Sequence, residues 1–264
     1  MATPIQIRDV RLEQAAREDW AAAAEWGDPD TIWEHIRRDT NLVPAVERLD
    51  WPALCPAGAK VLDLGCGSGW LSALLSRESN VERIIAWDSS PHLLAATLPR
   101  VFELIGGDPG KLEAVCGDFV PLLLDDDSID VAVMSSAFHH AADPLGLLEE
   151  LRRVLTPQGT VALLNETPWH PLGMLGFATR MYGAAVANLL GREFRRPGHL
   201  GSEHALYDET LGDRAYTLRT WRRMIARAGF SVRIVDTGMP SYPPQTRPRG
   251  RLEPNLFHLL LRPS

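Results

Sequence analysis

Nine consecutive residues, V-L-D-L-G-C-G-S-G from Val61 to Gly69, restrict what this chain can fold into more than any other stretch. Val61, Leu62 and Leu64 make a short apolar run of the kind that forms a strand buried on both faces of a parallel sheet. Gly65, Gly67 and Gly69 follow at alternate positions. Glycines let a chain reverse sharply and let a ligand approach the backbone closely. Trp70 to Ser76 (W-L-S-A-L-L-S) reads as a helix that opens directly out of the turn. Its first turn would present unpaired N–H groups and the positive end of a helix dipole. Strand, glycine turn and helix together form the nucleotide-binding half of a doubly wound α/β unit.

The glycine spacing separates two kinds of ligand. A dinucleotide fingerprint is G-x-G-x-x-G, and its third glycine would fall on Trp70. The pattern present is G-x-G-x-G, with Asp63 two residues ahead of it. An acid beside the turn suits a ligand carrying an ammonium group better than one carrying a pyrophosphate. In Asp63, Gly65, Gly67 and Gly69 the chain resembles the class I S-adenosylmethionine-dependent methyltransferases, whose first motif is acidic-x-G-x-G-x-G. The resemblance implies a Rossmann-like fold and S-adenosyl-L-methionine as cofactor. It assigns cofactor contacts to Asp63, Gly65, Cys66, Gly67 and Gly69.

The chain downstream keeps the βα alternation. Arg83 to Trp87 reads as the second strand, closed by Asp88, which lies 19 residues beyond Gly69. In Rossmann-like sites an acid at about that distance accepts hydrogen bonds from ribose hydroxyls, and a carboxylate can take two donors at once. The plainer role is a turn cap, since Ser89, Ser90 and Pro91 open the next helix. Leu112 to Cys116 is the third strand, followed by Gly117, Asp118 and Phe119. In similar methyltransferases an acid here accepts the adenine amino group and its neighbour flanks the ring. The resemblance therefore places Ser89, Gly117, Asp118 and Phe119 at the cofactor.

Ile129 to Met134 is the fourth strand, and S-S-A-F-H-H-A from Ser135 to Ala141 sits at its C-terminal end. Ligands of open parallel sheets bind outside those ends, which adds Ser135 to the cofactor set. Asp143-Pro144 caps a helix striped with Leu145, Leu148, Leu151 and Leu155, stopped by Pro157-Gln158-Gly159. Thr160 to Leu164 is the fifth strand. This run of F-H-H, D-P and P-x-G resembles the small-molecule branch of the class.

The expected architecture is one domain: a seven-stranded, mostly parallel, doubly wound sheet with a final antiparallel strand. Residues 1–58 are expected to form a helical cap, with helices over Arg8 to Glu25 and Thr31 to Leu49 and a cluster of Trp20, Trp26 and Trp33. Residues 59–166 form the cofactor-binding half. Residues 167–216 break the alternation, and the apolar stretch Pro171 to Gly191 is expected to be a helical lid after the fifth strand. Residues 217–264 hold a helix striped with Leu218, Trp221, Ile225 and Ala228, then strands over Ser231 to Val235 and Leu256 to Leu261.

Composition narrows the partners. The formal net charge of −7 opposes a surface built to neutralise phosphates, so no nucleic-acid partner is expected. No charge-free apolar run reaches 18 residues, and Arg180 interrupts the lid segment, so no membrane span is expected. The N-terminus has no apolar signal core. Cys55, Cys66 and Cys116 are odd in number and widely spaced, without a disulfide framework. A cytoplasmic setting is expected, with monomer and homodimer both open.

Methyl transfer from a sulfonium is an in-line displacement by an already activated donor, so positioning supplies much of the rate. A hydroxyl acceptor also benefits from a base near neutral pKa. His140 is the expected base, with His139 shaping the acceptor pocket and Glu166 as a rival at the end of the fifth strand. His170, His199, His204 and Tyr182 are weaker rivals on the insert. Metal-dependent catechol-type enzymes need an Asp after the fourth strand and an Asp-Asn pair after the fifth. Here those places hold Ser135-Ser136 and Asn165-Glu166, so no metal is expected. The expected activity is metal-independent methylation of a small, partly apolar acceptor at oxygen or nitrogen. Two alternatives remain: a protein of the same fold that binds the cofactor without methylating, and a nicotinamide-dependent oxidoreductase, which Trp70 disfavours.

Overall fold

The computed structural model describes residues 5–10, 28–168, 207–208, 213–214, 216–243, 245 and 255–264. The expected lid, the rivals His170, Tyr182, His199 and His204, and the expected helix from residue 11 onward lie outside the described residues.

Eight strands form one sheet: β1 (Ile7–Asp9), β2 (Ala59–Leu64), β3 (Val81–Asp88), β4 (Leu112–Cys116), β5 (Ile129–Ser135), β6 (Leu155–Glu166), β9 (Phe230–Pro240) and β10 (Asn255–Pro263). Their spatial order is β1-β4-β3-β2-β5-β6-β10-β9. Two short strands, β7 (Tyr207–Asp208) and β8 (Asp213–Arg214), pair with each other in a separate ribbon. Strand β10 is antiparallel to both β6 and β9, and the other pairings in the large sheet are parallel.

The seven expected strands are all present, and the sheet has one more. Ile7–Asp9 pairs in parallel with Ala114–Cys116 at the outer edge, where a helix beginning at Arg8 was expected. The correction has a simple source. Ile7 packs against the Ala114–Cys116 cluster and Val10 against the core that holds Val115, so sheet-edge pairing overrides a weak helical pattern. The expected single helix over Thr31 to Leu49 is instead α1 (Pro29–Glu34), a wider helical turn over His35–Asp39, and α2 (Leu42–Val46). Thr40, extended at φ −124° and ψ 164°, breaks it. Among the described residues no helix is long and apolar enough to cross a membrane.

The helices divide between the two faces. On one face lie α1, α2, α3 (Trp51–Leu54), α4 (Trp70–Ser76) and α5 (Leu98–Ile105), burying Ile32, Val46, Trp51, Leu71 and Leu75 against Val61, Val133 and Leu164. On the other lie α6 (Pro144–Val154) and α7 (Leu218–Arg227), burying Leu148, Leu151, Trp221 and Ile225 against Leu62, Ala132 and Leu163. Successive strand residues alternate faces, so Val61 and Asp63 look toward α4 while Leu62 and Leu64 look toward α6. From β2 the chain winds outward through β3 and β4, then returns to the other side of β2 as β5. The crevice between the C-terminal ends of β2 and β5 is therefore the topological switch point, where doubly wound sheets bind ligands.

Candidate active site

Three loops meet at that crevice. Gly65 has φ +72°, and a Cβ there would lie 2.8 Å from the Cβ of Ala137 and 3.1 Å from Cζ of Phe119. The glycine turn, the segment after β4 and the turn after β5 are thus packed within a methyl group of one another. Gly67 is the opposite case: φ is +53° and a Cβ would meet nothing within 4 Å among the described residues. Among the described residues nothing fills the space beside its backbone, as a ligand cradle requires.

Asp88, at the end of β3, is 5% exposed. Its Oδ2 accepts from the N–H of Gly67 at 2.8 Å and its Oδ1 from the N–H of Ser90 at 2.9 Å. One carboxylate therefore fixes the glycine turn and caps the segment after β3. A carboxylate has roughly four acceptor positions, and these two backbone bonds use two of them. Ser89, half-buried, lies between Asp88 and Ser90.

Asp63 is 1% exposed, and Ser72 on α4 donates its Oγ–H to Oδ2 at 2.6 Å. Burial pushes its pKa up to about 7, against the Ser72 hydrogen bonds and with a smaller push from Asp88. Cys66 is buried beside it, and burial raises its thiol pKa well above the ordinary value, so it is a packed thiol rather than a nucleophile. Gly117 is buried, and the Nε1–H of Trp87 donates to Asp118 O at 3.1 Å. Asp118 and Phe119 are half-buried. The loop beyond them is clamped by Arg153, which donates to Leu122 O at 2.7 Å and Leu124 O at 2.9 Å, while Glu150 accepts from Leu122 N at 2.8 Å.

Across the crevice, β5 ends at Ser135 and the chain makes a tight helical turn over Phe138–His140. Phe138 is fully buried and meets the Trp221 indole edge-on, with centroids 6.4 Å apart. That anchor fixes the turn. Glu166, at the end of β6, is 0% exposed. Its Oε1 accepts from Phe138 N at 3.0 Å, and its Oε2 lies 2.9 Å from Nδ1 of His139. The His140 ring packs on the His139 ring with centroids 4.3 Å apart. Ser135 Oγ accepts from Asn165 Nδ2 at 2.9 Å. Among the described residues no group of three or more His, Cys, Asp or Glu side chains is placed to hold a metal ion.

Sequence reading missed three side chains that build this site, Ser72, Arg153 and Asn165, and a fourth behind it, His258, whose Nδ1 accepts from Asn165 N–H at 3.1 Å. Ser72 and His258 had a signal. Each is a polar residue inside an apolar pattern, W-L-S-A-L-L and L-F-H-L-L-L, and buried polar groups need partners.

A methyltransferase domain family matches residues 62–163. The demethylmenaquinone methyltransferase of Clavibacter sepedonicus is 31% identical over 202 residues, covering 74% of this chain and 76% of that protein. The demethylmenaquinone methyltransferase of Thermus thermophilus is 32% identical over 181 residues, covering 69% and 78%. Among solved structures, a chain of the complex between the Haloferax volcanii Trm112 methyltransferase activator and a methyltransferase superposes with a TM-score of 0.63 at 21% identity, covering 95% of this chain and all of that one. With the switch-point crevice and the acid-led glycine turn, these matches show that the chain belongs to the class I, Rossmann-like S-adenosylmethionine-dependent methyltransferases.

Proposed function

We propose that this enzyme methylates a small, partly apolar organic acceptor at an ionisable oxygen or nitrogen, with His139 as the general base and Glu166 as the residue that positions it. The observation that carries this reading is the 2.9 Å contact between Nδ1 of His139 and the fully buried Glu166 carboxylate. Oε1 of this carboxylate accepts from the Phe138 N–H; with Oε2 accepting in the same way from Nδ1, Nε2 is the basic nitrogen. A base held in one tautomer is the arrangement proton abstraction needs. His140 packs on the same ring and helps shape the acceptor site.

The crevice fits the cofactor. The open backbone at Gly67 and the two-donor anchoring of Asp88 supply a cradle and an acceptor at the switch point. Gly65, Cys66, Gly67 and Gly69 would border it, with Asp63 behind the turn. Asp88 and Ser89 would hold a ribose, Gly117, Asp118 and Phe119 an adenine, and Ser135 the side facing the acceptor. When bound, S-adenosyl-L-methionine supplies a methyl group activated by its sulfonium. The chain's own part is to hold the acceptor, take its proton at His139 Nε2 and keep that nitrogen aimed through Glu166. General-base help of this kind is worth a factor of about 10²–10⁴.

The test is a methyl-labelled transfer assay with a panel of demethylmenaquinone, hydroxylated aromatics and apolar amines, read by mass spectrometry. At least one acceptor should gain a single methyl group with stoichiometric S-adenosylhomocysteine. Tight cofactor binding with no transfer to any member would favour a non-methylating protein of this fold.

A further inference from the structure

The residue that positions His139 is itself placed by an irregularity in the sheet. Phe257 pairs with Glu166 and Leu259 with Leu163, so two residues of β6, Leu164 and Asn165, stand opposite one of β10, His258. This is a β-bulge, with the extra residue among Leu164 and Asn165. Asn165 has φ +56°, the left-handed conformation that asparagine tolerates better than most residues.

The bulge reverses the faces of the last two residues. In an unbroken strand Asn165 would share the face of Leu163, and Glu166 that of Leu164. Instead Asn165 Nδ2 reaches Leu42 O at 3.3 Å, on the α2 face where Leu164 packs. Glu166 reaches Phe138 and His139, on the face where Leu163 and Phe138 pack. Without the bulge the Glu166 carboxylate would point away from His139.

The bulge is held by His258. Asn165 N–H donates to His258 Nδ1 at 3.1 Å, and His258 Nε2 lies 3.0 Å from Ala45 O. The ring is 1% exposed. A carbonyl only accepts, so Nε2 carries the proton and Nδ1 is the acceptor. Costly features gather around the same bond. Ser136 is also left-handed, at φ +50°, and its Oγ donates to Asn165 O at 3.0 Å. Asn165 Oδ1 is buried with no partner among the described residues. Strain of this kind persists where the surroundings over-determine it, and bulges beside active sites re-aim side chains.

We propose that His258 is a positioning residue for the methyl-transfer site: its Nδ1 replaces the ladder acceptor of Asn165 N–H, stabilises the bulge, and so keeps Glu166 on His139. This rests on the His139–Glu166 reading above. It is independent of which acceptor is methylated.

The test uses the full chain, labelled with ¹⁵N-histidine, and reads the His139 tautomer by long-range proton–nitrogen spectra above the imidazole titration range. His139→Gln assigns the resonance, and thermal melts confirm folding. Asparagine places its amide oxygen at the Nδ1 position, whereas glutamine reaches the Nε2 position. Wild type and His258→Asn should hold His139 with Nδ1 protonated. His258→Gln and His258→Leu should shift it toward the other tautomer. If His258→Leu folds and His139 keeps its tautomer, or if His258→Gln preserves it and His258→Asn does not, the proposal is overturned. Glu166→Gln separates the two readings. If that variant leaves the tautomer unchanged, the His139–Glu166 pairing is what fails. If it shifts the tautomer while the His258 variants do not, only the role of His258 fails.

Discussion

Oε2 of Glu166 lies 2.9 Å from Nδ1 of His139, while Oε1 of the same carboxylate takes the N–H of Phe138. The carboxylate thus fixes both the ring and the turn that carries it. His139→Ala should lower kcat by about 10²–10⁴ with cofactor affinity nearly unchanged. Glu166→Gln keeps an acceptor for Phe138 N–H but presents an amide to the ring, so it should lower kcat at least about tenfold without raising KM for the cofactor. If His139→Ala keeps full turnover while His140→Ala loses it, the base is His140.

Asp88 gives a second prediction. Both its oxygens face backbone N–H groups, of Gly67 and Ser90. Asp88→Asn must turn an NH₂ toward one of them, leaving a donor facing a donor. The asparagine variant should therefore behave nearly as badly as alanine. Each lost bond is worth about 0.5–1.5 kcal/mol, more to a charged acceptor, so calorimetric affinity for S-adenosylhomocysteine should fall about tenfold or beyond in both. Wild-type affinity in Asp88→Asn would remove the carboxylate from the cofactor site.

Much of this was legible in the sequence because it is local. The acid-led glycine turn, Asp88 at the end of β3 and the F-H-H turn after β5 each follow from residues close together in the chain. The pairing of Glu166 with His139 rather than His140 spans 27 positions and depends on a one-residue bulge, which period-2 alternation does not encode. The same holds for His258, whose partner Asn165 is 93 positions away. The extra strand Ile7–Asp9 was missed because three residues carry too little pattern to compete with a longer charged stretch read as helix.

The left-handed backbone at Asn165 gives a stability prediction. Asn165→Ala and Asn165→Gly lose the same two side-chain bonds, to Leu42 O and Ser135 Oγ. They differ in the Cβ at φ +56°. A left-handed conformation costs an L-residue about 1–2 kcal/mol, whereas the extra freedom of glycine in the unfolded chain costs about 0.4–1 kcal/mol. The conformational cost is the larger, so the glycine variant should be the more stable by roughly 0.5–1 kcal/mol. Denaturant titrations read this difference directly. An alanine variant clearly more stable than glycine would mean that the bulge has relaxed.

Asp63 makes stability depend on pH with an unusual sign. Its folded pKa is pushed up from 3.8 to about 7, chiefly by burial. Between those values the folded state keeps a proton that the unfolded state has lost. Stability therefore falls as pH rises through this window, with a slope approaching 1.36 kcal/mol per pH unit at most and levelling above about pH 7. Asp63→Asn has no such proton, so wild type should lose stability relative to that variant between pH 5 and 7 and keep a constant difference from pH 8 upward. Cofactor binding should couple to the same proton. A cationic ligand beside the turn favours the ionised carboxylate, so affinity should rise with pH up to about 7 and binding below it should release protons. Calorimetry in buffers of different ionisation enthalpy measures that release. A proton count of zero at pH 6, together with parallel stability curves for wild type and Asp63→Asn, would show that Asp63 is ionised throughout and that Ser72, donating at 2.6 Å, outweighs burial.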